Sequence, residues 1–112
     1  MSTLQEFKTL TDSLAGIQKL AVVARDGTVL HHRGEQSKTL GDYVAYVAVM
    51  AEQLKPYLGF TGPYHLIMEQ TSGDRIVTLL GEQIIVGVDI NANISPAIIL
   101  EQLSPIVDQF TI

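Results

Sequence analysis

The sequence predicts an α+β domain of order α-ββ-α-βββ-α, in which a five-stranded antiparallel sheet carries one helix on one face and the two terminal helices on the other. Three observations predict it. The segments "IQKLAVVAR", "TVLHHR", "YHLIMEQ", "RIVTLL" and "QIIVGVDI" are short, rich in β-formers and bounded by turn residues. Apolar residues recur at helical spacing in three other places. The last two strands are apolar on both sides: Ile84, Val86, Val88 and Ile90 alternate with Ile85, and Ile76 and Leu80 lie opposite Val77 and Leu79. An antiparallel sheet with one wet face would alternate apolar and polar residues, so here both faces need helices.

In chain order, Thr3 and Glu6 form a capping box, Leu4, Phe7, Leu10 and Leu14 share about one helical face, and Gly16 supplies a stop, which places the first helix over Leu4 to Ala15. Asp26-Gly27 joins the first two strands, because both positions of a two-residue hairpin turn need positive φ. Thr39 and Asp42 cap a second helix from Thr39 to Lys55, where Pro56 removes an N–H and disfavours helical geometry before it. After the turn-rich "GFTGP" come three strands in meander, the first of them Tyr64 to Gln70. Ser95 and Pro96 are a cap and a first-turn proline for a last helix through Leu100, Leu103, Val107 and Phe110, with a kink or break expected near Ser104 because Pro105 cannot bond the carbonyl of Glu101.

The chain of 112 residues reads as a single domain, residues 1–112, able to bury roughly two-thirds of its unfolded surface. Hydrophobic residues make up 46% and charged residues 17%, which excludes the disordered class and leaves apolar surface to be covered. The net charge of −5 is uneven: residues 1–56 hold six Lys/Arg and six Asp/Glu, residues 57–112 only Arg75 against six acidic residues. With no basic cluster, nucleic acid and anionic membranes are not the expected partners. No cysteine is present, so there is no thiol nucleophile, thiolate metal site or disulfide. The start lacks signal-peptide order and no run approaches the ~20 apolar residues of a membrane span, so a soluble, cytoplasmic protein is expected.

The second helix, "YVAYVAVMAEQL", is the informative stretch. At about 100° per residue, Leu40, Val44, Val47, Ala51 and Leu54 form one stripe suited to facing a sheet. The remainder should be polar, yet Tyr46, Val49 and Met50 spread over another side with Ala45 nearby, interrupted only by Asp42, Glu52 and Gln53. A second apolar patch of that kind marks an interface. A homodimer is the simplest way to cover it, through antiparallel pairing of an edge strand with symmetry-related second helices beside it.

The ordered combination of "LAVVARDGTVL", "LGDYVAYVAVMAEQL", "HLIMEQTSGDRIVTLLGEQIIVGVDI" and "SPAIILEQLSPIV" resembles the roadblock family over about Leu4 to Phe110. That family includes dynein light chains, lysosomal scaffold subunits and bacterial regulators of Ras-like GTPases. The resemblance implies roadblock (profilin/longin-like) architecture, a non-catalytic platform, and dimers that extend the sheet through the third strand with second helices side by side. The expected interface is therefore Ala45, Tyr46, Val49, Met50, Gln53, Tyr64, Leu66 and Met68. The expected function is a homodimeric scaffold that regulates or localises a small Ras-like GTPase, with no cofactor. The alternative is a small-ligand sensor with an internal pocket.

Other candidate chemistry is weaker. His31 and His32 are adjacent strand residues that point to opposite faces, and His65 lies on another strand, so a shared metal ion is not expected. Asp89, Asn91 and Asn93 open like a calcium loop, but Ile94 and Leu100 stand where Gly and Glu are required. No Gly-x-Ser-x-Gly elbow, Walker loop or Gly-x-Gly-x-x-Gly fingerprint occurs, Asp74 near Glu69 belongs to a turn, and Arg25, Arg33 and Arg75 read as strand-end charges rather than a trans-acting finger. No catalytic, cofactor-binding or metal residue is expected, and the chain is not expected to be an enzyme.

Overall fold

The computed structural model describes residues 4–58 and 65–110. The elements are α1 (Leu4–Ser13), β1 (Ile17–Ala24), β2 (Val29–Arg33), α2 (Ser37–Leu58), β3 (His65–Glu69), β4 (Arg75–Leu80), β5 (Ile84–Ile90) and α3 (Pro96–Gln109), in the order expected from the sequence. The five strands form one antiparallel sheet of order β2-β1-β5-β4-β3.

Local chemistry fixes the joints. Gly16 adopts φ +86° after α1, and a Cβ there would stand 2.2 Å from Ile94 Cγ1. In the β1–β2 hairpin only Gly27 takes a positive φ, +94°, where the sequence predicts one for Asp26 as well; the Thr28 N–H instead donates to Asp26 Oδ1 at 2.9 Å, which holds the Asp26 carboxyl below its usual pKa. Ser95 caps α3 by accepting from the Ala97 N–H at 3.3 Å, with Pro96 opening the helix.

Two prolines behave differently from expectation. α2 continues past Lys55 to Leu58 with Pro56 inside it, and α3 runs unbroken through Pro105 to Gln109. Each proline forfeits one backbone hydrogen bond, but Pro56 stands in the last turn of α2, where few bonds follow. Pro105 is carried by a helix whose Ile99, Leu103 and Val107 are buried, and that burial outweighs a proline cost of about 3 kcal/mol.

Two cores lie on opposite faces. Phe7 of α1 and Ile99, Leu103 and Val107 of α3, followed by Phe110, pack with Leu20, Val22, Val77, Leu79, Ile84, Val86, Val88 and Ile90. Leu40, Val44, Ala48 and Ala51 of α2 pack with Ala21, Val23, Leu80 and Ile85. This is the expected arrangement of one helix against two.

The rotation of α2 departs from the expected stripe. Ala48 is buried where Val47 was expected, Val47 is half-buried, and Leu54 is exposed. The helix has turned its small residues inward so that it can approach the sheet closely. A Cβ on Gly41 would lie 3.3 Å from Val23 Cγ1, and one on Gly87 only 2.4 Å from Val44 Cγ1. The bulky side chains are left on the outside.

Beside Gly87, Thr78 is fully buried and its hydroxyl has no hydrogen-bond partner. A desolvated, unpaired hydroxyl is costly, and valine has nearly the same shape. Thr78→Val is expected to stabilise the fold by about 1 kcal/mol, raising the thermal midpoint by roughly 4–8 °C. An unchanged or lower midpoint in a melting experiment contradicts this.

Candidate functional site

On the α2 side of the sheet the registers place Lys19, Asp89, Ile76 and Met68 in one row across β1, β5, β4 and β3, and Ala21, Gly87, Thr78 and Leu66 in the next. α2 lies over β1, β5 and β2. The β4–β3 half of this face is thus less covered, and Leu66, Met68 and Ile76 are half-buried there.

The flank of α2 that leans toward this half carries Tyr43, Val47, Met50 and Leu54, spaced i, i+4, i+7, i+11. Tyr43 marks the direction, because its Oη donates to Met68 Sδ at 2.9 Å. Tyr46 and Tyr57 continue the apolar surface outward. Exposure is 65% for Tyr46, 44% for Met50, 47% for Leu54 and 86% for Tyr57, so a large part of the helix's hydrophobic surface meets solvent in the single chain. Burying side chains of this size stabilises a complex by about 1.5–3 kcal/mol each when fully desolvated.

The strand beside this flank is equally open. β3 stands at the edge of the sheet and pairs only with β4 among the described residues. Its outer row of backbone N–H and C=O groups can accept another strand. The opposite edge strand, β2, lies against α2 and has Arg33 ion-paired to Asp12 of α1.

Similarity to solved structures covers nearly the whole domain. A roadblock/LC7 domain from Streptomyces avermitilis superposes with TM-score 0.77 at 11% identity, over 89% of this chain and 87% of that one. Myxococcus xanthus MglB gives 0.75 at 13% identity, over 89% and 84%. Schizosaccharomyces pombe profilin gives 0.60 at 12% identity, over 83% of each chain. The chain has the roadblock fold. No family model and no curated protein matches the sequence.

Within this roadblock fold the expected interface residues divide into two groups. Tyr46 and Met50 of α2 lie on or beside the flank that faces β3, and Leu66 and Met68 are the β3 residues on that side of the sheet. Ala45, Val49 and Gln53 instead line a groove of about 300 Å³ with Arg25 and Glu52, on the flank away from Tyr43 and Met68. Tyr64 lies outside the described residues. Tyr43, Leu54 and Tyr57, which the expected set does not contain, are also exposed on α2, and Tyr43, Met50 and Tyr57 recur at seven-residue spacing, a pattern the sequence carries.

The weaker candidates resolve into structural roles. His31 pairs in register with Val22 and His32 with Ala21, so the two rings face opposite sides of the sheet, and His32 Nδ1 lies 2.8 Å from Ser37 Oγ. Partial burial, reinforced by the charges of Lys8, His32 and Arg33, holds the His31 imidazole below its usual pKa. Arg25 donates through Nε to the Gly81 carbonyl at 2.9 Å and lies 3.7 Å from Glu52, while Arg75 lies 3.6 Å from Glu69. Asn91 Oδ1 accepts from the Asn93 N–H at 2.9 Å and Asp74 Oδ1 from the Ala92 N–H at 3.0 Å, which is turn chemistry. Among the described residues no three His, Asp or Glu side chains gather into a metal-binding group, and no helix is long and apolar enough to cross a membrane.

Proposed function

We propose that the chain is a non-catalytic interaction module that pairs with a second copy of itself and, as a dimer, regulates or localises a small Ras-like GTPase. The observation that carries the self-association is the coincidence of two unpartnered surfaces. The apolar flank of α2 leans over β3, and β3 offers an unpaired edge. Antiparallel pairing of two β3 strands about a two-fold axis brings the two α2 flanks together, so one contact covers both. The interface then comprises Tyr43, Tyr46, Met50, Leu54, Leu66 and Met68, with Tyr64 adjoining in sequence.

The GTPase partner rests on the resemblance to roadblock regulators and on the shared fold with MglB. In this reading the dimer acts by holding or orienting its partner rather than by chemistry of its own. The test is retention of Ras-like GTPases, loaded with GDP or with a non-hydrolysable GTP analogue, on the immobilised protein. Retention in one nucleotide state supports a regulator. Equal retention in both states supports a scaffold, and no retention in either removes the GTPase from the account while leaving self-association to its own test.

A further inference from the structure

A second site adjoins the surface proposed for self-association, at the amino end of α2, and shares only Tyr43 with it. A cavity of about 220 Å³ opens between the first turns of α2 and the row formed by Lys19, Asp89 and Ile76. Its floor is unusual for a central strand. Asp89 is only 7% exposed, in a strand otherwise made of Ile, Val and Gly. Its one hydrogen bond among the described residues comes from a neutral amide, Gln70 Nε2, at 3.2 Å. A buried carboxylate is costly unless a positive group meets it. Lys19 stands directly across on β1, half-buried, yet forms no ion pair with it among the described residues. Lys19 and Asp89 thus line the same cavity without a direct ion pair between them.

The upper wall sorts into a polar and an apolar part. Thr39 belongs to the first turn of α2, where the Ser37 and Leu40 N–H groups donate to the Gly34 and Gln36 carbonyls, while those of Lys38 and Thr39 have no such acceptor among the described residues. With Lys19 they make one end of the cavity positive, as the amino end of a helix does for a carboxylate. Leu40, Ile76 and the Tyr43 ring supply apolar surface beside the charges. The volume equals that of about seven liquid waters, which suits a molecule of under roughly ten non-hydrogen atoms.

We propose that this cavity binds a free α-amino acid with a small or branched apolar side chain. Its ammonium is held by Asp89, its carboxylate by Lys19 and the amino end of α2, and its side chain by Leu40 and Ile76. The arrangement selects a zwitterion, because a lone cation leaves Lys19 unmet and a lone anion leaves Asp89 unmet.

The test follows the thermal midpoint of the full chain against increasing L-valine and L-leucine, with 4-methylpentanoate and isopentylamine as analogues that keep only one of the two charges. The expected result is a saturable rise of the midpoint with at least one amino acid and none with either single-charge analogue at the same concentration. Lys19→Gln, at a half-exposed position, and Asp89→Asn, which keeps an acceptor for Gln70, should each weaken the half-saturating concentration about ten-fold or more. The proposal is overturned if neither amino acid shifts the midpoint, if a single-charge analogue acts as well as leucine, or if Lys19→Gln responds like the wild type.

Discussion

Gly87→Ala is expected to destabilise the fold by about 2–3 kcal/mol, toward the upper end of what overpacking costs. The new Cβ would lie 2.4 Å from Val44 Cγ1 and 3.3 Å from Cγ2. Val44 of α2 is β-branched and fully buried against the sheet, so it cannot rotate away, and the helix itself must lift from β5. Because a domain of this size is stable by only about 5–15 kcal/mol, the thermal midpoint should fall by roughly 10 °C or more. Val44→Ala removes both colliding atoms. The double variant Gly87→Ala/Val44→Ala should therefore be more stable than the sum of the two single losses by at least about 1 kcal/mol in denaturant melts. Strict additivity would contradict the close approach of α2 to β5.

Met50→Glu is expected to weaken self-association by about a hundred-fold or more while leaving the monomer folded. Met50 is 44% exposed and belongs to the flank that leans toward β3. In a two-fold pairing its substitution puts two carboxylates into one apolar contact, and a desolvated, unpaired charge costs several kcal/mol. Val49→Glu is the informative control. Val49 is also exposed, at 54%, but lines the groove on the opposite flank with Arg25 and Glu52, so its effect should be at least about ten-fold smaller. Equal effects of the two substitutions would place the contact across the crown of α2 rather than on its β3 side. Sedimentation over a range of concentration, with circular dichroism to confirm folding, distinguishes these results.

Much of the fold is legible in the sequence because its joints are chemically local. Asp26-Gly27 defines a hairpin, Ser95-Pro96 opens a helix, and the two-sided apolar pattern of Ile76–Leu80 and Ile84–Ile90 demands helices on both faces. What escapes local reading is set by packing. Pro56 and Pro105 look like helix breakers, yet Pro56 falls in the last turn of α2, and α3 is held across Pro105 by the buried Leu103 and Val107. The rotation of α2 is decided by where small residues meet: Gly41, Ala48 and Ala51 fit against the sheet, and Gly87 makes the space for Val44. That choice moves Leu54 from the expected core to the exposed flank and sets Val49 and Met50 on different sides of the helix. The surplus of apolar residues on α2 is thus evident from composition, whereas the direction in which they point is evident only from the contact between Tyr43 and Met68.

The row Lys19, Asp89, Ile76 and Met68 spans four strands, and no sequence spacing brings these residues together. Asp89 reads from sequence as the start of a loop-like acidic motif, but its strand position buries it on the α2 side of the sheet, in register with Lys19.

Self-association through the open flank of α2 and the free edge of β3 is tested most directly by the solution mass of the wild-type chain, measured by light scattering from low to high micromolar concentration. The account predicts a particle of twice the 12.2 kDa chain mass across that range. A folded monomer of 12.2 kDa at the highest concentration would contradict it.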